Sequence, residues 1–176
     1  MTYKDELTKA MNFLAENDRV LFLGQTVNYS GSAIYGTLEK IAISKKIELP
    51  IMEDTQLGIS IGFSLKGYIP VSIYPRMDFL ICATNQLVNH VDKIEEMSNN
   101  QFKPKVIIRT AIGSRNPLYP GVQHCSDYTD SFKSMLKNVD VIRLENSNEI
   151  VPTYKKALKS DRSTLIIELS DMYNQE

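Results

Sequence analysis

The chain has 176 residues, enough for a substantial hydrophobic core, and we predict one domain over residues 1–176. Its 20 basic and 21 acidic residues give a net charge of −1, so the totals provide no electrostatic case for nucleic-acid binding. No apolar run approaches the roughly 20 residues that span a bilayer. The charged N-terminus is unlike a secretory signal, and Cys82 and Cys125 lack metal-ligand spacing, so we expect reduced thiols in a cytoplasmic protein.

Hydrophobic periodicity predicts helices that alternate with strands along the chain. We expect helices over residues 5–17 and 33–42, from Glu53 to a stop at Gly67, from an N-cap at Asp78 to Met97, and over 127–136 and 148–159. We expect strands over residues 20–23, 49–52, 71–74, 105–109, 139–144 and 163–169. This order predicts an α/β fold with a mostly parallel sheet and helices on both faces.

Folds of this class bind ligands at the carboxyl ends of their strands. The residues that follow predicted strands, or lie in the next loop, include Gln25, Glu53, Pro75, Thr110 and His124. The loop over residues 110–123 is long and rich in glycine and proline, which is typical of a functional or mobile segment.

Glu53 lies between an apolar run and a helix that carries Gly58 and Gly62 on one face. Each glycine inside a helix costs about 1 kcal/mol relative to alanine, so two of them at this spacing indicate a close approach by another backbone. We expect Glu53 to be partly buried, which favours a protonated carboxyl and suits proton transfer. The alternative is an ordinary acidic residue that interacts with the helix dipole.

Several short motifs, in order, resemble the pyrimidine-binding domain of thiamine diphosphate-dependent enzymes. The resemblance runs from Leu21 to Glu168, and its nearest pattern is the β subunit of 2-oxo acid dehydrogenase first components. The motifs are Pro50-Ile51-Met52-Glu53, Gly58-xxx-Gly62, Lys66-Gly67-xx-Pro70, Met77-Asp78-Phe79, Asn85-Gln86-Leu87-Val88-Asn89-His90 and Gly121-Val122-Gln123-His124.

The resemblance implies a role for four of these residues. Glu53 matches the glutamate that hydrogen-bonds a ring nitrogen of the aminopyrimidine and thereby promotes loss of the thiazolium proton. Ile51 matches an apolar residue whose backbone faces that ring, and Phe79 matches an aromatic residue that packs on it. His124 matches a histidine near the substrate. The simpler alternatives are a core position for Phe79 and an exposed loop position for His124.

Two residues depart from the family pattern. Gln25 stands where the family usually has an acidic residue that connects cofactor sites, and Pro75 stands where a longer side chain usually reaches the cofactor. The Gly-Asp-Gly motif that holds diphosphate and magnesium in these enzymes does not occur, and the second domain of the β subunits is not found. The resemblance therefore implies that thiamine diphosphate is shared with a separate diphosphate-binding subunit, which holds the magnesium in a hetero-oligomer such as α2β2. We expect no metal ligands in this chain.

We expect the chain to be the pyrimidine-binding subunit of a split enzyme that decarboxylates a 2-oxo acid and transfers the acyl group. The alternatives are a subunit of a split transketolase that acts on a ketose, a decarboxylase or carboligase, a non-catalytic scaffold or regulatory subunit, and a stand-alone binder of small molecules. Arg109 and Arg115 are candidates for binding an anionic substrate group, although salt bridges or surface positions explain them more simply.

Overall fold

Six parallel strands form one sheet with the order β2-β1-β3-β4-β6-β5. The computed structural model describes residues 1–116 and 119–173. The strands are β1 (Val20–Gly24), β2 (Lys46–Glu48), β3 (Ile69–Tyr74), β4 (Ile107–Ile112), β5 (Asp140–Arg143) and β6 (Thr164–Leu169). The predicted α/β fold is therefore confirmed, and every strand pair is parallel.

Helices and short turns connect these strands. The α-helices are α1 (Tyr3–Ala15), α2 (Glu53–Leu65), α3 (Met77–Leu80), α4 (Ile94–Met97), α5 (Thr129–Met135) and α6 (Ser147–Lys159). Five 3-10 turns lie in the described ranges, at Tyr35–Thr37, Ile43–Lys45, Ile81–Ala83, Val122–His124 and Ser170–Met172. None of the helices in residues 1–116 and 119–173 is both long enough and apolar enough to cross a bilayer.

Two apolar clusters cover the two faces of the sheet. One cluster packs α1 and α6 against β1 and β3, and the other packs α2, the segment after β3 and α5 against β4 and β6. Neighbouring residues of one strand enter different clusters, as Ile107 and Ile108 show, because side chains alternate across a strand. Strands buried on both faces explain why their sequences read as nearly continuous apolar runs.

The predicted helix over residues 33–42 is wrong, because the segment contains only the 3-10 turn Tyr35–Thr37. Gly36 weakens a helix here, and the Thr37 hydroxyl donates to the Ile34 carbonyl, a local bond that competes with helix formation. The apolar side chains whose spacing predicted a helix do enter the core, but from a series of turns. They are Ile34, Leu38 and Ile41.

The predicted strand over residues 49–52 is also wrong, because the edge strand is β2, which ends at Glu48. The Leu49 amide still donates to the Gly24 carbonyl, but Pro50 has no N–H with which to continue the ladder. Residues 49–52 therefore form a loop, in which the Ile51 side chain is 80% exposed.

The predicted long helix from Asp78 to Met97 is interrupted. The N-cap is Arg76 and not Asp78, and the chain passes from α3 through the 3-10 turn Ile81–Ala83 and a π-helical turn to α4. Beyond the π turn, the buried Asp92 carboxylate accepts N–H bonds from Lys137, Asn138 and Val139. The residues predicted for the buried face do face the core, namely Leu80, Ala83, Leu87 and Val91, with Ile94 partly buried.

A buried ion pair joins β4 to β6. Arg109 donates from Nε to Glu168 Oε1 at 2.7 Å and from Nη2 to Oε2 at 3.0 Å, and neither side chain is exposed. Arg109 therefore does not bind a substrate from solvent, and the simpler interpretation as a salt bridge is confirmed. The Tyr154 and Tyr173 hydroxyls also donate to Glu168, while Arg109 Nη1 donates to Thr37.

The shifted pKa values in this cluster preserve the protonation states on which its hydrogen bonds depend. Burial alone lowers the pKa of Arg109, but the Glu168 carboxylate outweighs burial and holds this pKa above its ordinary value. Burial and the same carboxylate raise the pKa of Tyr154 and Tyr173. The arginine therefore stays charged, and both phenols stay neutral donors.

Replacing Glu168 by glutamine should destabilise the chain by about 3–5 kcal/mol, because it leaves the Arg109 charge buried without a counter-charge. The measurement is the free energy of unfolding from urea denaturation. The matched control is Glu95→Gln, which removes the exposed pair with Lys103 and should cost about 0–1 kcal/mol. Equal losses for the two variants would contradict the stabilising role of the buried pair.

Candidate functional site

A cavity of about 430 Å³ opens where β1, β3 and β4 end. It lies at the carboxyl edge of the sheet, where folds of this class bind ligands. Four of the residues selected from the sequence line it, and they are Gln25, Pro75, Phe79 and His124. The structure therefore brings together residues that are up to about a hundred positions apart in the chain, as expected for loops that leave one edge of a parallel sheet.

Glu53 stands beside this group of residues as the first residue of α2. Its side chain is half-buried, and Oε1 accepts a hydrogen bond of 3.1 Å from Gln25 Nε2. Gln25 itself lines the cavity and thus links the carboxylate to it. Ile51 lies apart from the cavity lining, on the exposed loop that precedes Glu53.

The Glu48 carboxylate, which the sequence analysis missed, fixes the loop that carries Gln25. Its two oxygens accept from the backbone amides of Thr26, Val27 and Asn28 at 2.6, 2.8 and 2.9 Å. Thr26 has a positive φ of 55°, a conformation that costs energy for a β-branched residue and needs such support. No sequence signal indicated this role, because the predicted strand began after Glu48, at residue 49.

His124 and Phe79 form the aromatic part of the cavity wall. Their ring centroids are 5.6 Å apart, and the rings meet edge to face at 78°. Both side chains are half-buried, and His124 Nδ1 is shielded from solvent without a hydrogen-bond partner. Because Nδ1 is shielded, a molecule in the cavity would contact this imidazole through its other nitrogen, Nε2.

Gly113 allows the His124 backbone to lie against β4. A Cβ atom at position 113 would overlap with the His124 carbonyl oxygen. The same loop is held from the other side by Asp171, which accepts from the Ser114 hydroxyl and from the amides of Arg115 and Asn116. Burial alone raises the pKa of Asp171, but these hydrogen bonds outweigh it and lower the pKa below its ordinary value.

Two of the remaining expectations are corrected by the structure. Thr110 does not follow a strand; it is a buried residue inside β4, because the strand continues to Ile112. The close backbone approach expected at Gly58 and Gly62 is absent within the described chain. A Cβ at Gly58 would make only ordinary contact with Gln86, and a Cβ at Gly62 would meet nothing within 4 Å.

The loop predicted over residues 110–123 begins only after β4, at residue 113, and residues 117 and 118 lie outside the described part. Arg115, a candidate for anion binding, is exposed on this loop and does not line the cavity. Across residues 1–116 and 119–173, no three His, Cys, Asp or Glu side chains lie close enough together to hold a metal ion.

Replacing Glu48 by alanine should release the loop that begins at Gln25, because three amides lose a charged acceptor. Amide hydrogen exchange at Thr26, Val27 and Asn28 should accelerate by about tenfold or more. The control is Glu39→Ala, an exposed residue further along the same connection. Unchanged exchange at these amides would contradict the role of Glu48.

Gly113→Ala should destabilise the chain by about 1–3 kcal/mol, because the new methyl group forces the His124 backbone to move. Gly62→Ala is the matched control and should stabilise the isolated chain by up to about 1 kcal/mol, since it improves helix propensity in open space. Both values come from urea denaturation. Similar changes for the two variants would show that position 113 has more room than the structure describes.

The comparisons with known proteins agree with the fold. No family model matches the chain. The chain is 30% identical over 117 residues to the 2-oxoisovalerate dehydrogenase β subunit of Bacillus subtilis, which covers 64% of this chain and 36% of that subunit. It is 25% identical over 164 residues to a chloroplastic pyruvate dehydrogenase E1 component subunit β-4 of Oryza sativa, covering 92% of this chain and 40% of that protein.

A solved structure shows the same fold over nearly the whole chain. It is described as split gene transketolase, inactive beta4 tetramer, and it aligns with a TM-score of 0.73 at 19% identity over 95% of this chain and 51% of that one. The chain thus spans about half or less of each of these three proteins. The chain is thus similar in sequence to parts of the β subunits of 2-oxoisovalerate and pyruvate dehydrogenases, and it shares its fold with split gene transketolase.

Proposed function

We propose that the chain is the pyrimidine-binding subunit of a split thiamine diphosphate-dependent enzyme, and that Glu53 activates the cofactor. The observation that carries this proposal is the half-buried Glu53 carboxylate beside the cavity that gathers Gln25, Phe79 and His124. A carboxyl group at this edge can exchange a proton with a ring nitrogen while an aromatic wall holds the ring.

The residues present fit the pyrimidine end of the cofactor. Glu53 Oε1 is occupied by Gln25, but Oε2 has no partner among the described residues and is left for a ring nitrogen. Gln25 is a neutral donor, so it orients the carboxylate without adding a charge. Phe79 offers a half-buried ring, and Ile51 places an exposed loop next to Glu53. Pro75 adds an apolar contact at the cavity wall.

Thiamine diphosphate supplies the nucleophilic carbon and the electron sink for chemistry at a substrate carbonyl. This chain supplies the proton chemistry around it. Glu53 holds and returns a proton at the ring nitrogen, and His124, which lines the cavity, donates a proton to the substrate through Nε2, because its Nδ1 is shielded. We propose a 2-oxo acid as substrate, with decarboxylation followed by acyl transfer, because both named sequence relatives are 2-oxo acid dehydrogenase subunits.

We propose that a separate diphosphate-binding subunit completes the site and holds the magnesium. Exposed apolar side chains on and near α2, the helix that Glu53 begins, support this arrangement: Ile51 is 80%, Leu65 44% and Ile81 41% exposed. Gly58 and Gly62 on the same helix leave room for a partner backbone. Exposed apolar side chains beside an acid are typical of an interface. We propose a hetero-oligomer such as α2β2.

The fold likeness to split gene transketolase makes transfer of a ketose fragment the second candidate. Turnover assays of the assembled enzyme with pyruvate, 2-oxoisovalerate and a ketose phosphate separate the two.

Cys82, which is exposed, and Cys125, which is buried, are both free thiols, which supports the reducing cytoplasm as the compartment we propose.

In the complex of this chain with its diphosphate-binding subunit, obtained by co-purification, Glu53→Gln should lower turnover by about 10²–10⁴-fold, because the amide cannot exchange a proton with the ring. Asp54→Asn is the matched control. It removes a negative charge from the same helix end and should leave turnover within a few-fold. Equal effects of the two variants would assign Glu53 to helix stability alone, and unchanged turnover in both would favour a non-catalytic scaffold.

A further inference from the structure

Among the described residues, Arg76 is the one arginine, lysine, aspartate or glutamate that lines the cavity beside Glu53. Its side chain is half-buried, and no carboxylate of the described residues lies within 4 Å of it. The lining also contains no aspartate or glutamate. A guanidinium in a concave site without a counter-charge favours an anionic ligand.

Two hydroxyl groups in the same lining have protons to donate. Ser32 Oγ accepts from the Thr26 hydroxyl at 2.8 Å and from the Tyr35 amide at 3.4 Å, and its own proton has no acceptor among the described residues. The Ser170 side chain makes no hydrogen bond within the described chain. These donors lie in one cavity with Arg76 and match the several acceptor oxygens of an oxyanion.

We propose that Arg76 binds the anionic group of the substrate, with Ser32 and Ser170 as supporting donors. The inference rests on the proposed function, and it adds that the substrate carries a carboxylate or a phosphate in this cavity. A bidentate contact with a guanidinium suits either group. Glu53 lies outside the cavity lining and reaches it through Gln25, so the acid and the anion-binding group occupy different places.

The test is a titration of the full chain, followed by amide chemical shifts, with pyruvate and with inorganic phosphate as probes. We expect saturable shifts at Ser32 and Ser170, and a loss of affinity of about tenfold or more in Arg76→Gln. Arg76→Lys should retain part of the affinity because it keeps the charge. The control is Arg19→Gln, an exposed arginine before β1 at the opposite edge of the sheet.

Tighter binding of pyruvate supports a carboxylate substrate, and tighter binding of phosphate supports a phosphorylated one. Equal affinities for Arg76→Gln and Arg19→Gln, or no saturable shift with either probe, would overturn the proposal. The titration contains no thiamine diphosphate and measures no turnover, so it is independent of the result for Glu53. In the assembled enzyme, Arg76→Gln should raise KM for the substrate by about tenfold while kcat falls far less.

Discussion

All six strands run in the same direction, and the site depends on this single constraint. The chain leaves β1, β3 and β4 at one edge of the sheet, so Gln25, Pro75 and Gly113 become neighbours without any local sequence relation. Gly24 permits a close approach of β1 to β3 at this edge, since a Cβ there would overlap with the Ile73 carbonyl oxygen. Changes that separated these strands would disperse the cavity even if every side chain in it were kept.

Buried and half-buried carboxylates fasten several segments of the chain. Glu48 and Asp92 each accept three backbone amides, and Asp171 accepts two amides and a hydroxyl. The Glu168 carboxylate accepts hydrogen bonds from Arg109 and two tyrosines. Glu53 has only one partner, a neutral amide, and keeps an oxygen without a partner. Asp54 is bonded in the same way by Gln86, but only the amide of Gln25 belongs to the cavity lining, which supports the role we propose for Glu53.

The sequence predicts the alternation of helices and parallel strands because burial on both faces leaves a strong periodic signal. It fails where tertiary contacts decide. The edge strand is Lys46–Glu48 and not residues 49–52, where Pro50 cannot continue the ladder. Around the turn at Tyr35–Thr37, buried apolar residues have the spacing of a helix although no helix forms.

For the site, strand ends identify Gln25, Pro75 and His124, and the family resemblance supplies their roles. Neither source indicates Arg76 or Glu48. The importance of Arg76 follows from the missing counter-charge in the cavity, and that of Glu48 from three amides that converge on it. Both are properties of the folded chain and not of a local pattern.

The central claim is that this chain offers half of a cofactor site, and titration calorimetry with thiamine diphosphate and magnesium tests it most directly. The isolated chain should show no measurable binding of thiamine diphosphate. Binding should become saturable once the proposed diphosphate-binding subunit is added, and Glu53→Gln should lower the affinity. Tight, stoichiometric binding of thiamine diphosphate by the isolated chain would contradict it.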